Sequence, residues 1–376
     1  MSKQQVSFFW FRRDLRLEDN VGLFHALKSK YTVILLFIFD DAILDSLPYS
    51  DPRVGFIYEN LSKINTQLLK IESALLVKKG KTLAVWELLL TEFDIKEVFF
   101  NKDYEPYAIK RDSAICELLE TNNAIPFSFK DQVIFEEKEI TKADGLPYTV
   151  YTPFKNKWLE KYKSMAPVLE YDATDVFSNF HKCDFVFPSL EQIGFEKSPI
   201  KVKPHNLKFI ANYQDIRDFP ALDQTSYLSP HLRFGTVSIR KLVNWAFHKN
   251  DVFLSELIWR EFFMQILFSF PRVVTQNFKS AYDGIQWRNN EEDFKRWCTG
   301  TTGYPMVDAG MRQLNETGYI HNRVRMVVAS FLCKHLLIQW QWGEAYFAEK
   351  LLDYDLSANV GNWQWAAGTG CDAAPY

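Results

Sequence analysis

Along the first third of the chain, short apolar runs alternate with amphipathic stretches. The runs are Val6–Phe11 (VSFFWF), Thr32–Phe39 (TVILLFIF), Ala74–Lys78, Lys96–Asn101 (KEVFFN) and, more weakly, Ile125–Lys130. They are too short for buried helices and rich in β-branched and aromatic residues, which predicts strands. Between them Val21–Ser29, Val54–Ile71, Lys81–Phe93 and Ala108–Thr121 repeat their apolar positions at helical spacing. Strands alternating with helices predict an α/β domain, a doubly wound parallel sheet covered on both faces. We place it at residues 1–131.

From about residue 132 to 200 the periodicity fades. Gly145, Pro147, Pro153, Pro167, Pro188 and Pro199 punctuate this stretch. It reads as a connector wrapped over a surface, extended or turned with one short helix, because Tyr148, Tyr151, Phe154 and Trp158 need burial. From Leu207 the 3.6-residue period dominates. Helices are expected at Ile210–Asp218, Ser238–His248, Asp251–Phe268, Glu291–Thr299, Pro305–Glu316, Asn322–Gln339 and Gly343–Leu352, with no convincing strand. Residues 201–376 thus predict an all-α domain. A chain of 376 residues is long enough for both domains.

Composition sharpens this in three places. Eight of the 11 Trp lie after residue 200, so the helical part needs indoles most. Residues 1–200 carry 25 Lys/Arg against 30 Asp/Glu, and residues 201–376 carry 19 against 17, so the net −3 divides into −5 and +2. That weakly favours a polyanion at the helical part, a solvated surface being the plainer alternative. The five Cys show no metal spacing and read as free thiols of a reducing compartment. No apolar run reaches membrane-span length and Met1–Val6 is polar, so a cytoplasmic protein is expected.

No GxGxxG follows any strand, which removes the ordinary dinucleotide fingerprint. FRRDLRLEDN follows the first strand instead. Its Arg12, Arg13, Asp14, Arg16, Asp19 and Asn20 read slightly better as an ion-pair knot than as a ligand site. Glu105, before Pro106, reads best as a helix cap. The helical part holds three denser clusters. Thr225, Ser226 and Ser229 offer hydroxyls where Ser229 and Pro230 start a helical turn, a place that attracts phosphate. Glu256, Trp259, Arg260 and Phe263 share one helical face. Beside Leu257 and Ile258, Glu256 is expected to be poorly solvated and to donate a hydrogen bond, a surface pair with Arg260 being the alternative. Asn322, Arg325 and Met326 share another face, with Asp353 and Asp355 as carboxylate partners for Arg325. The final stretch, DYDLSANVGNWQWAAGTG, sets carboxylates, the Asn359 amide, Trp363 and Trp365 among small residues, which predicts the wall of a pocket for a large, polar, aromatic molecule.

FFWFRRDLRLEDN, TSYLSPHLRFGTVSIR, ELIWREFF, TGYPMVDAGMRQL, HNRVRMVVASFL and NWQWAAGTGCDAAPY occur in order and with the expected gaps. Together they resemble the DNA photolyase/cryptochrome family, most closely its class I cyclobutane pyrimidine dimer photolyases. The resemblance covers about Val6 to Tyr376. It implies an antenna domain followed by a helical domain holding FAD, active when reduced. It implies flavin contacts at Tyr213, Thr225, Ser226, Tyr227, Leu228, Ser229, Phe253, Arg325, Asp353, Tyr354 and Asp355, with Asn359 at the flavin N5. It implies an electron relay through Trp363, Trp340 and Trp287, and lesion contacts at Arg217, Glu256, Trp259, Arg260, Asn322, Arg323 and Met326. The implied activity is light-driven splitting of pyrimidine dimers in UV-damaged DNA by a monomer. Asn322 stands where members acting on the (6-4) photoproduct carry His. A second, antenna chromophore, folate or deazaflavin, is implied but not assigned; Glu105 matches a folate-contacting position. Members continue beyond CDAAPY, so a truncated chain is expected. The rival readings are a cryptochrome-type blue-light photoreceptor without repair, and a flavin-free helical nucleic-acid-binding protein.

Overall fold

All five apolar runs form strands: β1 Gln5–Phe11, β2 Thr32–Asp40, β3 Leu76–Gly80, β4 Asp94–Asn101 and β5 Ile125–Phe129. They pair in parallel in the order β3-β2-β1-β4-β5. The period-2 geometry of a strand divides their side chains between two cores. Phe9, Phe11, Leu35 and Phe37 face the helices Val21–Leu27 and Pro52–Leu69, and Phe8, Trp10, Ile34 and Leu36 face Thr82–Glu92 and Pro106–Thr121. Gly22 is required by a close approach. A Cβ there would stand 2.9 Å from both Asn101 Oδ1 and Phe9 Cε2.

The computed structural model describes residues 3–372, and the chain divides into two compact units. One holds the sheet with 169–202 and 234–242; the other holds 135–168, 203–233 and 243–376. The stretch expected as a connector is therefore shared between them. Its first part contains a full helix, Tyr151–Met165, with Pro153 tolerated in the first turn, where backbone N–H groups have no helical partner. Tyr151, Phe154 and Trp158 are buried, as expected.

In the sheet unit, the strand order reverses between β1 and β4, where open sheets usually bind ligands. Here that crevice is filled by an ion network. Arg16 and Arg240 both bond Asp131 at 2.8 Å, and Arg240 also holds Asp19 at 3.1 Å. Asn101 donates to Asp14 (2.6 Å) and to Asn20 (2.8 Å). The ion-pair expectation for FRRDLRLEDN thus holds. Burial pushes the Asp131 carboxyl up, but Arg16 and Arg240 outweigh it and hold it below its ordinary value. Asp14 is raised by burial and by the Asp131 charge. Glu105 holds the N-cap position before Pro106, as expected, but its side chain makes no capping bond; its carboxylate meets Arg13 at 2.9 Å.

The helical unit departs from expectation in two more places. The run expected as one helix over Asn322–Gln339 ends at Ser330 and continues as a π turn, Phe331–His335. The turn buries Phe331, Leu332 and Cys333 together, and Leu337 in the left-handed region stops further winding. The final stretch, read only as a pocket wall, forms the helix Leu356–Ala367.

Candidate functional site

The helix Asp251–Ser269 is the long wall of the site. Asn250 starts it, its side chain accepting from Val252 N (3.0 Å) and Phe253 N (2.9 Å). On the side away from the cavity, Glu261 is 2 % exposed and takes bonds from Trp158 Nε1 (2.8 Å) and Phe135 N (3.0 Å). This anchors the helix to the rest of its unit. The helix Leu356–Ala367 packs against it closely enough that a Cβ on Gly361 would stand 2.2 Å from Phe263. Asp355 caps that second helix, accepting from Ala358 N.

These walls, with 213–233 and the helix Asn322–Ser330, enclose a cavity of about 460 Å³ that opens to the surface. That is within the range of cofactor sites. Tyr213, Thr225, Ser226, Tyr227, Leu228, Ser229, Phe253, Arg325, Asp353 and Asp355 line it, as do Arg217, Glu256, Trp259, Arg260, Asn322, Arg323 and Met326. The cofactor and lesion positions expected from the sequence thus come to one place. An adjoining cavity of about 100 Å³ shares Arg325, Asp353 and Asp355 and adds Asn359 and Trp363. Tyr354 lines neither cavity; its ring packs on the core, with the hydroxyl 3.5 Å from Glu344. Glu105 lies in the sheet unit.

Two Arg–carboxylate pairs organise the polar lining. Arg325 donates to Asp353 Oδ2 at 2.8 Å and to the Ile320 carbonyl at 2.9 Å. Arg233, not anticipated, lies 3.5 Å from Asp355 Oδ2. Asp353 Oδ1 and Thr225 Oγ1 are buried without a hydrogen bond of normal geometry. Burial pushes the Tyr319 phenol up, and the Thr225 hydroxyl opposes that rise. Tyr213 is pushed up to about 12, by burial first and by Glu256 second. Ser229 is not a cap as expected: the helix begins at Leu228, after Tyr227 in the left-handed region.

At the rim, Glu256 forms an ion pair with Arg217 at 2.8 Å, a partner from outside its own helix. Its expected role as a hydrogen-bond donor gives way to that of an acceptor. Trp259 lies flat against Tyr151, with ring centres 3.6 Å apart and planes 8° apart, and the Tyr151 hydroxyl is tied to Ser255 (2.6 and 2.7 Å). Tyr151 therefore covers one indole face and fixes the ring. Asn359 is also fixed, its amide nitrogen donating to Glu344 Oε1 (2.9 Å) and the Glu344 carbonyl (3.1 Å). Burial raises the Glu344 carboxyl. The sequence signal for Glu344 was thin, a lone acid among the aromatics of WQWGEAYF.

Of the three expected relay indoles, Trp363 meets the small cavity, Trp340 is buried and Trp287 is partly buried. Trp340 Nε1 donates to Asn277 Oδ1 (2.9 Å), whose amide in turn donates to Asp283 (2.8 Å). Trp363 packs against Phe347 (5.0 Å) and Trp297 (6.0 Å), the latter not anticipated. Among the described residues, no helix is long and apolar enough to cross a membrane, and no group of three or more His, Cys, Asp or Glu could hold a metal ion.

The donor set fits a flavin dinucleotide. The unpaired Asp353 oxygen asks for a donor such as a ribose hydroxyl or ring N–H. The hydroxyls of Thr225, Ser226 and Ser229 suit a diphosphate, and the aromatic walls suit flat rings. Comparison with known proteins agrees. Residues 7–174 match the family described as DNA photolyase, and residues 253–376 the FAD binding domain of DNA photolyase. A deoxyribodipyrimidine photo-lyase of Halobacterium salinarum is 36% identical, over 99% of this chain and 84% of its own. An archaeal photolyase structure from Sulfolobus tokodaii, solved with two FAD molecules, is 35% identical with a TM-score of 0.81, over 99% of this chain and 85% of its own. A cryptochrome of Synechocystis sp. shares the fold, with a TM-score of 0.81 at 24% identity over 100% of this chain and 84% of its own.

Proposed function

The chain belongs to the DNA photolyase family, and on that premise we infer that it is an FAD-dependent photo-lyase that repairs dipyrimidine lesions in DNA under light. FAD, when bound in its reduced form, supplies a light-excited one-electron donor, and the protein supplies position and electrostatics. The observation that carries this reading is one cavity that joins two arginine-held carboxylates, including an oxygen without a partner, to a rim of arginines, an indole and a carboxylate.

Each group then has a task. Arg325 and Arg233 hold Asp353 and Asp355 where carboxylates can accept from a ribityl chain, a ribose or a ring N–H. Thr225, Ser226 and Ser229 bond the diphosphate. Glu344 takes both amide protons of Asn359, so the Asn359 carbonyl is the atom left to meet a ligand N–H. At the mouth, Glu256 accepts from the imide N–H of an extruded thymine. Trp259, braced by Tyr151, packs on the lesion with its other side, beside Met326 and Asn322. Arg217, Arg260 and Arg323 meet the flanking phosphates. Extrusion is favoured because a crosslinked pair stacks and pairs poorly. Trp363, Trp340 and Trp287 carry electrons inward from an external reductant. We place the enzyme in the cytoplasm as a monomer, a setting that suits its five free cysteines.

The test is an incubation of the reduced, flavin-loaded protein with oligonucleotides carrying a cyclobutane dimer or a (6-4) photoproduct, in light and in darkness. We expect repair of the dimer in light only. Repair of the (6-4) lesion alone would refute the substrate assignment. Flavin absorption bands with repair of neither lesion would favour a photoreceptor.

A further inference from the structure

Asp218 sits among the cations of the rim without lining the cavity itself. Its Oδ1 accepts from Arg323 Nε at 2.5 Å and lies 3.8 Å from Arg217 Nε. Arg217 reaches Glu256 with its other end at 2.8 Å, and Arg323 Nη1 lies 3.3 Å from the Met326 sulfur. One carboxylate oxygen thus gathers two guanidinium groups that, on the reading above, meet DNA. The hydrogen bond from Arg323, and then its charge, hold the Asp218 carboxyl below its ordinary value, so it is ionised at neutral pH.

Exposure separates the partners. Asp218 is 57% exposed, Arg323 34% and Arg217 17%. Exposed ion pairs are weak, because solvent and salt compete for both charges. A guanidinium pair aimed at one oxygen is also a geometry that phosphate satisfies at least as well as carboxylate. The carboxylate is therefore the part of this cluster best able to leave.

We propose that Asp218 is an internal stand-in for a DNA phosphate, holding Arg217 and Arg323 at the rim until the backbone of a damaged strand displaces it. It keeps the two arginines from binding stray anions and keeps Arg217 from turning wholly onto Glu256. Its cost is competition with DNA. The idea rests on the rim being the DNA surface, and the test separates the two.

Binding of the full-length protein to a fluorescent duplex carrying one cyclobutane dimer would be followed in the dark by anisotropy across a salt series. Asp218→Asn is expected to bind roughly two- to fivefold more tightly at low salt. Its affinity is expected to fall more steeply with salt, by about one additional ion. Asp218→Glu, which keeps the charge, should stay near the parent. Arg323→Gln should weaken binding, and adding it to Asp218→Asn should abolish the gain. If Asp218→Asn binds no better or more weakly while Arg323→Gln still weakens binding, Asp218 is a brace or a bystander, and the proposal falls while the DNA surface stands. If Arg323→Gln leaves DNA binding unchanged, the surface assignment itself falls and takes the proposal with it.

Discussion

Replacing Arg325 by Met removes the guanidinium but keeps most of the side-chain length. Two bonds go, one to Asp353 Oδ2 and one to the Ile320 carbonyl. Asp353 is 6% exposed and its other oxygen already lacks a partner, so the change leaves a carboxylate that is both buried and unpaired. Removing half of a fully buried pair costs about 3–5 kcal/mol. Arg325 itself is 26% exposed, so solvent repays part of that, and a loss of roughly 2–3 kcal/mol is expected. Urea unfolding followed by Trp fluorescence would measure it, because only Trp10 and Trp86 lie in the sheet unit and the signal reports the helical one. Flavin retention should fall too, by roughly tenfold if half of the loss reaches the bound form. The decisive variant is Arg325→Met with Asp353→Leu. It removes the stranded charge, so stability should largely return while flavin binding stays lost. A double variant as unstable as the single one, or one that still retains flavin, would show that this pair is not what joins stability to the cofactor site.

Glu256→Ala should slow dimer splitting by roughly ten- to a hundredfold, the worth of one hydrogen bond to a charged group, while the flavin spectrum stays that of the parent. Trp340→Phe should block light-driven reduction of oxidised flavin but spare repair once the flavin is chemically reduced; intact photoreduction would remove Trp340 from the relay. Asp131, whose folded carboxyl is held below the ordinary 3.8, contributes stability that is fully present above that value and is lost as pH falls below it. Asp14, raised above 3.8, has the opposite sign and acts at higher pH, between 3.8 and its raised value. Asp131→Asn should therefore flatten the acid limb of a denaturation profile while costing about 3–5 kcal/mol at neutral pH; an unchanged acid limb would show that the network does not set acid stability.

The sheet unit was legible because its central strands β1 and β2 are nearly continuous apolar runs, which a parallel sheet covered on both faces buries. The ion knot was legible because six polar groups after one strand need partners when buried, but the partners, among them Asp131, Arg240 and Asn101, come from elsewhere in the chain. Tertiary choices were harder to read. The i,i+4 partner of Glu256 is Arg260, and local spacing offered no hint that Arg217 would meet it from another element. The helix Tyr151–Met165 hid behind Pro153, which reads as a breaker until its place in the first turn is known. The helix Leu356–Ala367 hid behind Gly361 and a run of small and polar residues with weak helical propensity. Burial of Val360, Trp363 and Ala366 supplies what propensity lacks.

That second hidden helix matters most, because it turns a list of site residues into one construction. Asp355 caps it with Oδ1 and turns Oδ2 toward Arg233. Asn359, one turn on, is locked by Glu344, and Trp363, a further turn on, meets the small cavity. Residues 355, 359 and 363 recur every four positions, so they fall along one stripe of the helix. The cap fixes where the helix starts, the start fixes the stripe, and the stripe fixes carboxylate, amide and indole relative to each other. Removing the Asp355 carboxylate would therefore do more than delete one ligand contact: the helix start, at about 1 kcal/mol for a lost cap, and the alignment of Asn359 and Trp363 would be released together. Asp355→Asn keeps a capping oxygen and removes the charge, so it should preserve the helix while weakening the cavity's hold on a ligand. Asp355→Ala should lose both.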